Sequence, residues 1–418
     1  MKVLVVGGGI GGLTTALSLH AAGIEAVVVE RTRHLRPLGV GINLQPHAVR
    51  ELTELGLADG LSAIGIPTAE MVWVDGSGAV QHREDLGTAR GYHWPQYSLH
   101  RGKLQMLLLD AVRDRLGPEA VRTGTAFEGL RQEGPGVEVR LRDRGADRPF
   151  GLAADLVVGA DGLHSAVRAA LHPDEGPLQW SGTTMWRGTT DTAAFLTGRT
   201  MVHLDAGGGS RLIAYPIDPG AARRGRSLTN WICMVPVGDP GPLGGPASWN
   251  SAGRIEDVLP HFEGRRVDGL DVSAMLTDAD DLLEYPMVDR DPLPHWGEGR
   301  VTLLGDAAHP MYPVGANGAS QAVVDARVLA HTLARGGDPV AALRGYEDHR
   351  RPATHTVVHA NRRMHRGKPK SGAGPAAAGV YRKLAGTYRT TTGNDVAELN
   401  ARPSWNPPTG KPMKGTLR

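Results

Sequence analysis

At 418 residues the chain is long for one core, and two packed domains are expected. It is 40% hydrophobic and 22% charged, with a mean hydropathy of −0.25, a balance that argues against a membrane protein and against extensive disorder. The net charge is +2 but unevenly spread: Thr356 to Arg418 holds 12 Lys/Arg against 2 Asp/Glu, or +10, which leaves −8 for the rest.

The basic end reads as a solvated helix and trailing segment, so no nucleic-acid partner is expected. The single Cys233 cannot form an internal disulfide, and no Cys/His cluster has zinc spacing. A reducing compartment, no metal and a cytoplasmic location follow. The apolar run after Lys2 stops at Val6 without a cleavage site, so it is not read as a signal peptide, and no later stretch has the length of a membrane span.

Residues 2–30, KVLVVGGGIGGLTTALSLHAAGIEAVVVE, read as a strand, a helix and a second strand. Val3 to Val6 is the first strand, Leu13 to Ala22 the helix, Gly23 its stop, and Ala26 to Val29 the second strand. Gly7, Gly9 and Gly12 fit GxGxxG, whose glycines in turn allow a tight turn, the approach of a pyrophosphate and close helix–strand packing. Glu30 follows Gly12 by 18 residues, at the strand end where a carboxylate accepts ribose hydroxyls. A lone GxGxxG is weak evidence. Strand, helix, second strand and terminal acid together indicate dinucleotide binding, and the acid argues against a 2′-phosphate.

Arg36 to Ala48, RPLGVGINLQPHA, reads as a loop and then a helix that Pro46 starts. EMVWVDGSGAV has the pattern of a hairpin, and Arg101 precedes an amphipathic helix from about Lys103 to Leu116. A basic residue there either meets a phosphate or solvates the helix start, and the residues leave both open. Val137 to Arg142 and Leu152 to Val158 are expected strands. Ala154 to Arg168 is a second strand–turn–helix, with Asp161–Gly162 at its turn. From Leu178 to Pro286 short extended runs predict an antiparallel sheet. Alternation puts Thr184 and Trp186 on one face of their strand, and Arg211, Ile213 and Tyr215 on one face of theirs. Such a face either walls a substrate or simply packs.

Val301 to Val324, VTLLGDAAHPMYPVGANGASQAVV, reads as a buried strand, an acid at its tip, a stiff loop and a helix start. The loop from Pro310 to Gly318 suits a large flat ligand, and the first N–H groups of a helix from Ala319 to Ala334 would point at it. Ala341 to Arg366 is an expected helix with a kink or break at Pro352. GKPKSGAGPAAAG is read as a flexible connection, and the final residues as irregular.

Three motifs, GGGIGG with Glu30, GADG at Gly159 to Gly162, and GDAAHPMYPVGANGASQA at Gly305 to Ala322, together resemble the FAD-dependent aromatic hydroxylases, the single-component flavoprotein monooxygenases of the para-hydroxybenzoate hydroxylase fold. The likeness covers nearly the whole chain up to about Arg366. It implies an α/β protein, a Rossmann-type FAD-binding domain with an inserted antiparallel-sheet substrate domain. Residues 1–175 and 287–355 would form the FAD-binding domain, 176–286 the substrate sheet, and 356–418 a C-terminal helix and basic, partly irregular tail. RPLGVGINLQP, PQYSLHRGKLQM, TMWRG and YPMVDRDPLPHWG resemble more narrowly the family's hydroxylases of phenazine carboxylates.

The resemblance implies that Gly9, Gly11 and Gly12 approach the FAD pyrophosphate, that Arg101 contacts that region and Glu30 the adenosine ribose, and that Gly7, Ile10 and Arg31 are also cofactor-binding. Asp306 would bind the ribityl chain. Pro313, Gly315, Ala316, Asn317 and Gly318 would lie along the isoalloxazine, with Val40 and Gly41 on its other side. Asp161 and Gly162 would serve both FAD and a transient NADH or NADPH. Trp186, Arg211, Tyr215 and Val314 are the substrate-binding candidates, Arg211 for a carboxylate. No catalytic side chain and no metal are assigned, because the chemistry is flavin-centred.

The implied reaction is hydroxylation of a phenazine-1-carboxylate type substrate, with or without loss of its carboxylate, using NAD(P)H and O2 through a flavin C4a-hydroperoxide. The partner is then a small aromatic molecule, and the enzyme a monomer or homodimer. Hydroxylation of another fused aromatic, an FAD reductase or dehydrogenase on the same fold, and a flavin-binding interaction protein that uses the basic tail remain alternatives.

Overall fold

The computed structural model describes residues 1–245, 251–366, 386–392 and 395–406. The glycine-rich connection from Gly367 and most of the irregular C-terminus lie outside them. Five short apolar runs form a parallel sheet in the order Val301–Leu303, Leu156–Gly159, Lys2–Val6, Glu25–Glu30, Val121–Thr123. Such strands are apolar on both faces because both faces are covered, and Val3, Val5, Val28, Leu156, Val158 and Leu303 are fully buried. The helices Ile10–Ala21, Arg101–Leu116 and Gly318–Ala334 pack around this sheet, as does the antiparallel meander Thr125–Glu133, Gly136–Asp143, Arg148–Ala154.

A second, nine-stranded sheet has the main order Ser251–Ala252, Asp281–Asp289, Gln179–Ala193, Arg226–Pro236, Ser210–Pro216, Thr200–Gly207, Glu70–Val74, Val80–Asp85. The expected hairpin forms, but it joins this sheet, and Glu70–Val74 runs parallel to Thr200–Gly207. The second sheet is therefore mixed, and its strands extend beyond residues 176–286. The reason is burial: a lone hairpin cannot cover its own apolar face, whereas Val72 and Val74 here share a core with Val202, Leu204 and Leu212.

That core lies on one face of the sheet. The opposite face carries Met185, Ile232, Met234, Tyr285 and Met287, which meet Tyr312 from the loop after the strand Val301–Leu303. The two sheets thus face each other across the Val301–Val324 stretch.

The helix Pro339–Arg366 runs unbroken through Pro352. Tyr346, Arg350, Thr354, Val357, Val358 and Asn361 are buried on both sides of the proline, so docking outweighs the one backbone bond that the proline removes. Among the described residues no helix is long and apolar enough to cross a membrane.

Candidate active site

The groove begins at the glycine turn. Gly7 adopts φ +112°, and a Cβ there would stand 2.4 Å from the Ala160 carbonyl oxygen, so the turn lies directly on the GADG segment. A Cβ on Gly12 would stand 1.9 Å from the Gly7 carbonyl oxygen, which sets the helix tightly against the strand. Around Gly9 a Cβ would meet nothing within 4 Å. Between two packing glycines the backbone therefore opens onto free space. The helix Ile10–Ala21 has no side-chain cap, and its first intrahelical bond is Leu13 N–H to the Gly9 carbonyl. The N–H groups of Ile10, Gly11 and Gly12 are left to face that space, the arrangement that binds a phosphate. Glu30 reaches the same loop: its carboxylate accepts from Gly8 N at 2.8 Å and Thr32 N at 2.7 Å. Arg31 is exposed just beyond it.

Asp161 anchors its own turn. Its carboxylate accepts from the Ser165 hydroxyl, from Ala166 N at 2.7 Å and from Val167 N at 3.2 Å. It caps the short helix Ala166–Leu171, and GADG supports the groove through its backbone. Arg168 extends that support by donating to the Ala307 and Ala308 carbonyls at 2.8 and 3.0 Å.

Asp306 stands just past the strand Val301–Leu303, in the turn Gly305–Ala307, with its side chain exposed. Desolvation by the surrounding walls raises its carboxyl above the ordinary value, and the nearby His309 and Arg101 act the other way. Behind it lies a buried network. Asp325 accepts from His309 at 2.6 Å, from Arg350 at 2.7 Å and from Gly305 N at 3.1 Å. Burial alone would raise the Asp325 carboxyl, but His309 and Arg350 outweigh it and hold it low. This network fixes the Asp306 turn to the helix Gly318–Ala334.

The loop that follows is shaped by unusual backbone. Gly315 has φ +78° and Ala316 φ +53°, a left-handed conformation that a residue with a Cβ seldom adopts. Asn317 is 1% exposed, and its Nδ2 donates to Tyr388 Oη at 2.6 Å and to the Gly315 carbonyl at 3.3 Å. Its Oδ1 is buried with no partner among the described residues. The helix starts at Gly318, one residue before the expected Ala319, again without a side-chain cap. Across the groove, Arg101 N donates to the Val40 carbonyl at 3.0 Å.

Gly41 is gripped from the second sheet. Its N–H donates to Asn230 Oδ1 at 2.6 Å, and its carbonyl accepts from Arg187 Nη2 at 2.9 Å. Arg187 lies beside Tyr215 and Tyr285, and its Nε, like Asn230 Nδ2, is buried without a hydrogen-bond partner among the described residues. Burial pushes the Tyr215 phenol up to about 12, against the influence of Arg187 and Asn43. At neutral pH it is a neutral hydrogen-bonding group.

Strand parity separates the expected pocket residues. Tyr215, Arg211 and Ile213 share with Met185 and Arg187 the side of the sheet that meets Tyr312. Trp186 points the other way, into the core with Phe195, Leu212 and Trp231. The expectation that Trp186 lines the pocket is therefore corrected. One residue along a strand changes face, and TMWRG presents its Met and Arg, not its Trp. Val314, expected to bind substrate, packs against the apolar cluster of that side. Arg211 lies further along that side, opposite Asp205 and near His203. Burial, with Arg211 acting in the same direction and Asp205 against it, drops the His203 imidazole to about 4. Met185, Arg187, Asn230, Tyr285 and Tyr388 were not singled out in the sequence. The alternation in TMWRG marks the first two, and nothing local marks Tyr388.

These residues fit FAD. Open space at Gly9, uncapped helix starts at Ile10 and Gly318, an acid at each of positions 30 and 306, and an orphaned amide oxygen at Asn317 are what an extended dinucleotide with a flat ring requires.

Residues 1–204 and 281–361 match the family described as the FAD binding domain. The chain is 51% identical to the phenazine 1,6-dicarboxylic acid hydroxylase of Lysobacter antibioticus over 86% of this chain and 89% of that one. It is 32% identical to 3-hydroxybenzoate 6-hydroxylase 1 of Aquipseudomonas alcaligenes, over 82% of this chain and 84% of its relative. Its fold matches that of Klebsiella pneumoniae HpxO complexed with FAD and uric acid with a TM-score of 0.77 at 25% identity, covering 96% of each chain. The chain belongs to the family of FAD-dependent aromatic monooxygenases.

Proposed function

We propose that this enzyme hydroxylates a phenazine carboxylate, or a fused aromatic carboxylate of like size, with NAD(P)H as reductant and O2 as oxidant. One oxygen atom ends on the ring, the other leaves as water, and the hydride of NAD(P)H supplies the electron pair. Where attack falls on the carboxylate-bearing carbon, CO2 departs and its bonding pair stays with the ring. The observation that carries the reading is Arg187. It is a cation whose Nε has no partner among the described residues, set in an apolar face, and it suits an aromatic acid better than a neutral ring. The phenazine 1,6-dicarboxylic acid hydroxylase relative supports the ring class.

When bound, FAD supplies the oxygen-activating redox chemistry. The protein's own residues hold and shield it. Glu30, the N–H groups after Gly9, and Asp306 would hold the ribose, pyrophosphate and ribityl parts. The N-terminus of the helix Gly318–Ala334, equivalent to about half a positive charge, would favour negative charge at the ring edge. Met185, Ile232, Met234 and Tyr285 exclude water. Arg187 orients the carboxylate, and the neutral Tyr215 phenol stands beside it. The lone Cys233 is free and buried, which fits the proposed cytoplasmic setting, with the enzyme acting as a monomer or homodimer.

The test is NAD(P)H oxidation by the purified yellow protein with and without phenazine-1-carboxylate, followed by mass spectrometry of the product under isotope-labelled O2. Stimulated oxidation with label in the product is expected. Label drawn from water, or turnover that proceeds equally with an artificial acceptor and no O2, would sink the monooxygenase reading.

A further inference from the structure

Tyr388, from the C-terminal segment, reaches the loop that precedes the helix Gly318–Ala334. Tyr388 is 9% exposed. Its hydroxyl accepts from Asn317 Nδ2 at 2.6 Å and lies 2.6 Å from Asn361 Oδ1. A phenol has one proton to give. The shorter contact takes it, because the alternative acceptor, the Val314 carbonyl, is at 3.3 Å. Asn361 Nδ2 then donates to the Tyr312 carbonyl at 2.8 Å. The result is one directed chain, Asn317 to Tyr388 to Asn361 to Tyr312, that closes on both ends of the same loop.

The ring of Tyr388 lies on the loop's backbone between those ends. A Cβ on Gly315 would stand 2.3 Å from its hydroxyl oxygen. Burial pushes the phenol pKa up, so the proton stays in place. Arg389, the next residue, pairs with the buried Glu84 and so ties the segment down from outside the loop.

We propose that Tyr388 is a positioning residue for the bound flavin: by bridging Asn317 and Asn361 it holds the loop 312–317, with its left-handed turn at Gly315 and Ala316, in the shape that lies along the cofactor ring. This rests on the reading that FAD occupies that side of the loop. The physical case is that Ala316, beside the permissive Gly315, sits in a left-handed conformation that a residue with a Cβ does not favour alone. A linked set of buried hydrogen bonds is a device that can impose it.

The full-length wild type and Tyr388→Phe are to be compared by FAD titration, visible spectrum, flavin midpoint potential and the fraction of consumed NAD(P)H that appears as hydrogen peroxide. Tyr388→Phe is expected to weaken FAD binding about 3- to 10-fold, the loss of one hydrogen bond, to shift the flavin band and potential, and to raise the peroxide fraction. Should that variant not fold, Asn361→Ser reads the same bridge from its other end, with the same changes expected. A folded variant whose spectrum, potential and peroxide fraction all match the wild type overturns the proposal alone. A wild type that binds no FAD overturns the cofactor reading beneath it.

Discussion

Gly7 to Gly12 make their part of the groove from consecutive backbone. Met185, Arg187, Tyr215, Ile232 and Tyr285 make the facing wall from side chains on four different strands. The first surface depends on where a Cβ is missing. The second depends on which way a Cβ points. Filling one glycine of the first loses one contact, whereas a shift of one residue along a strand of the second exchanges the wall for the core behind it, as the neighbours Trp186 and Arg187 demonstrate.

The largest effect is expected where the backbone surface is braced. Asp325→Ala leaves His309 and Arg350 buried without their shared carboxylate, and a loss of about 3–5 kcal/mol in urea unfolding should follow. A loss below about 1 kcal/mol would mean that the Asp306 turn is held by something else.

Gly9→Val tests the backbone surface directly. Its side chain enters open space, so the unfolding midpoint of the apoprotein should stay unchanged while FAD affinity falls about 100-fold or more. Destabilised apoprotein with normal FAD binding would break the distinction between packing and ligand-facing glycines.

Arg187→Met and Trp186→Phe sharpen the contrast on the side-chain surface. Arg187→Met should raise KM for an aromatic carboxylate about 10- to 100-fold, the equivalent of a charge-assisted hydrogen bond of about 1.5–3 kcal/mol. Trp186→Phe should lower thermal stability with KM unchanged. Reversal of the two results would restore Trp186 to the pocket. Arg211→Met gives the measure of the remaining cation on that side.

The smallest effect is on acid stability. The imidazole of His203 is lowered from 6.5 to about 4, so between those pH values the unfolded chain binds a proton that the folded chain refuses. The stability is fully present above about pH 6.5 and is lost as pH falls toward 4, by on the order of 1 kcal/mol given the partial solvent access of the site. Thermal midpoints of wild type and His203→Gln should converge over that range, and parallel curves would remove His203 from the account.

The reading of residues 2–30 carried into the structure because each step there is local: a strand, glycines with defined conformational needs, a helix and an acid follow within one βαβ unit. The same holds for Val301 to Val324, where the strand end, the stiff loop and the helix start lie next to one another in the chain. Arg168 and Asp161 were visible as residues of a turn, but their tasks, bracing Ala307 and Ala308 and capping a helix, depend on neighbours that no local pattern identifies.

What the sequence by itself determined was the cofactor half of the protein, since backbone turns, glycine openings and helix starts are set by residues a few positions apart. The tertiary structure decided the substrate face, the recruitment of residues 70–85 into the second sheet, and the arrival of Tyr388 against a loop more than 70 residues earlier in the chain. Each depends on pairing register and long-range closure. A strand carries two faces with nothing in its own residues to say which one the rest of the molecule will cover.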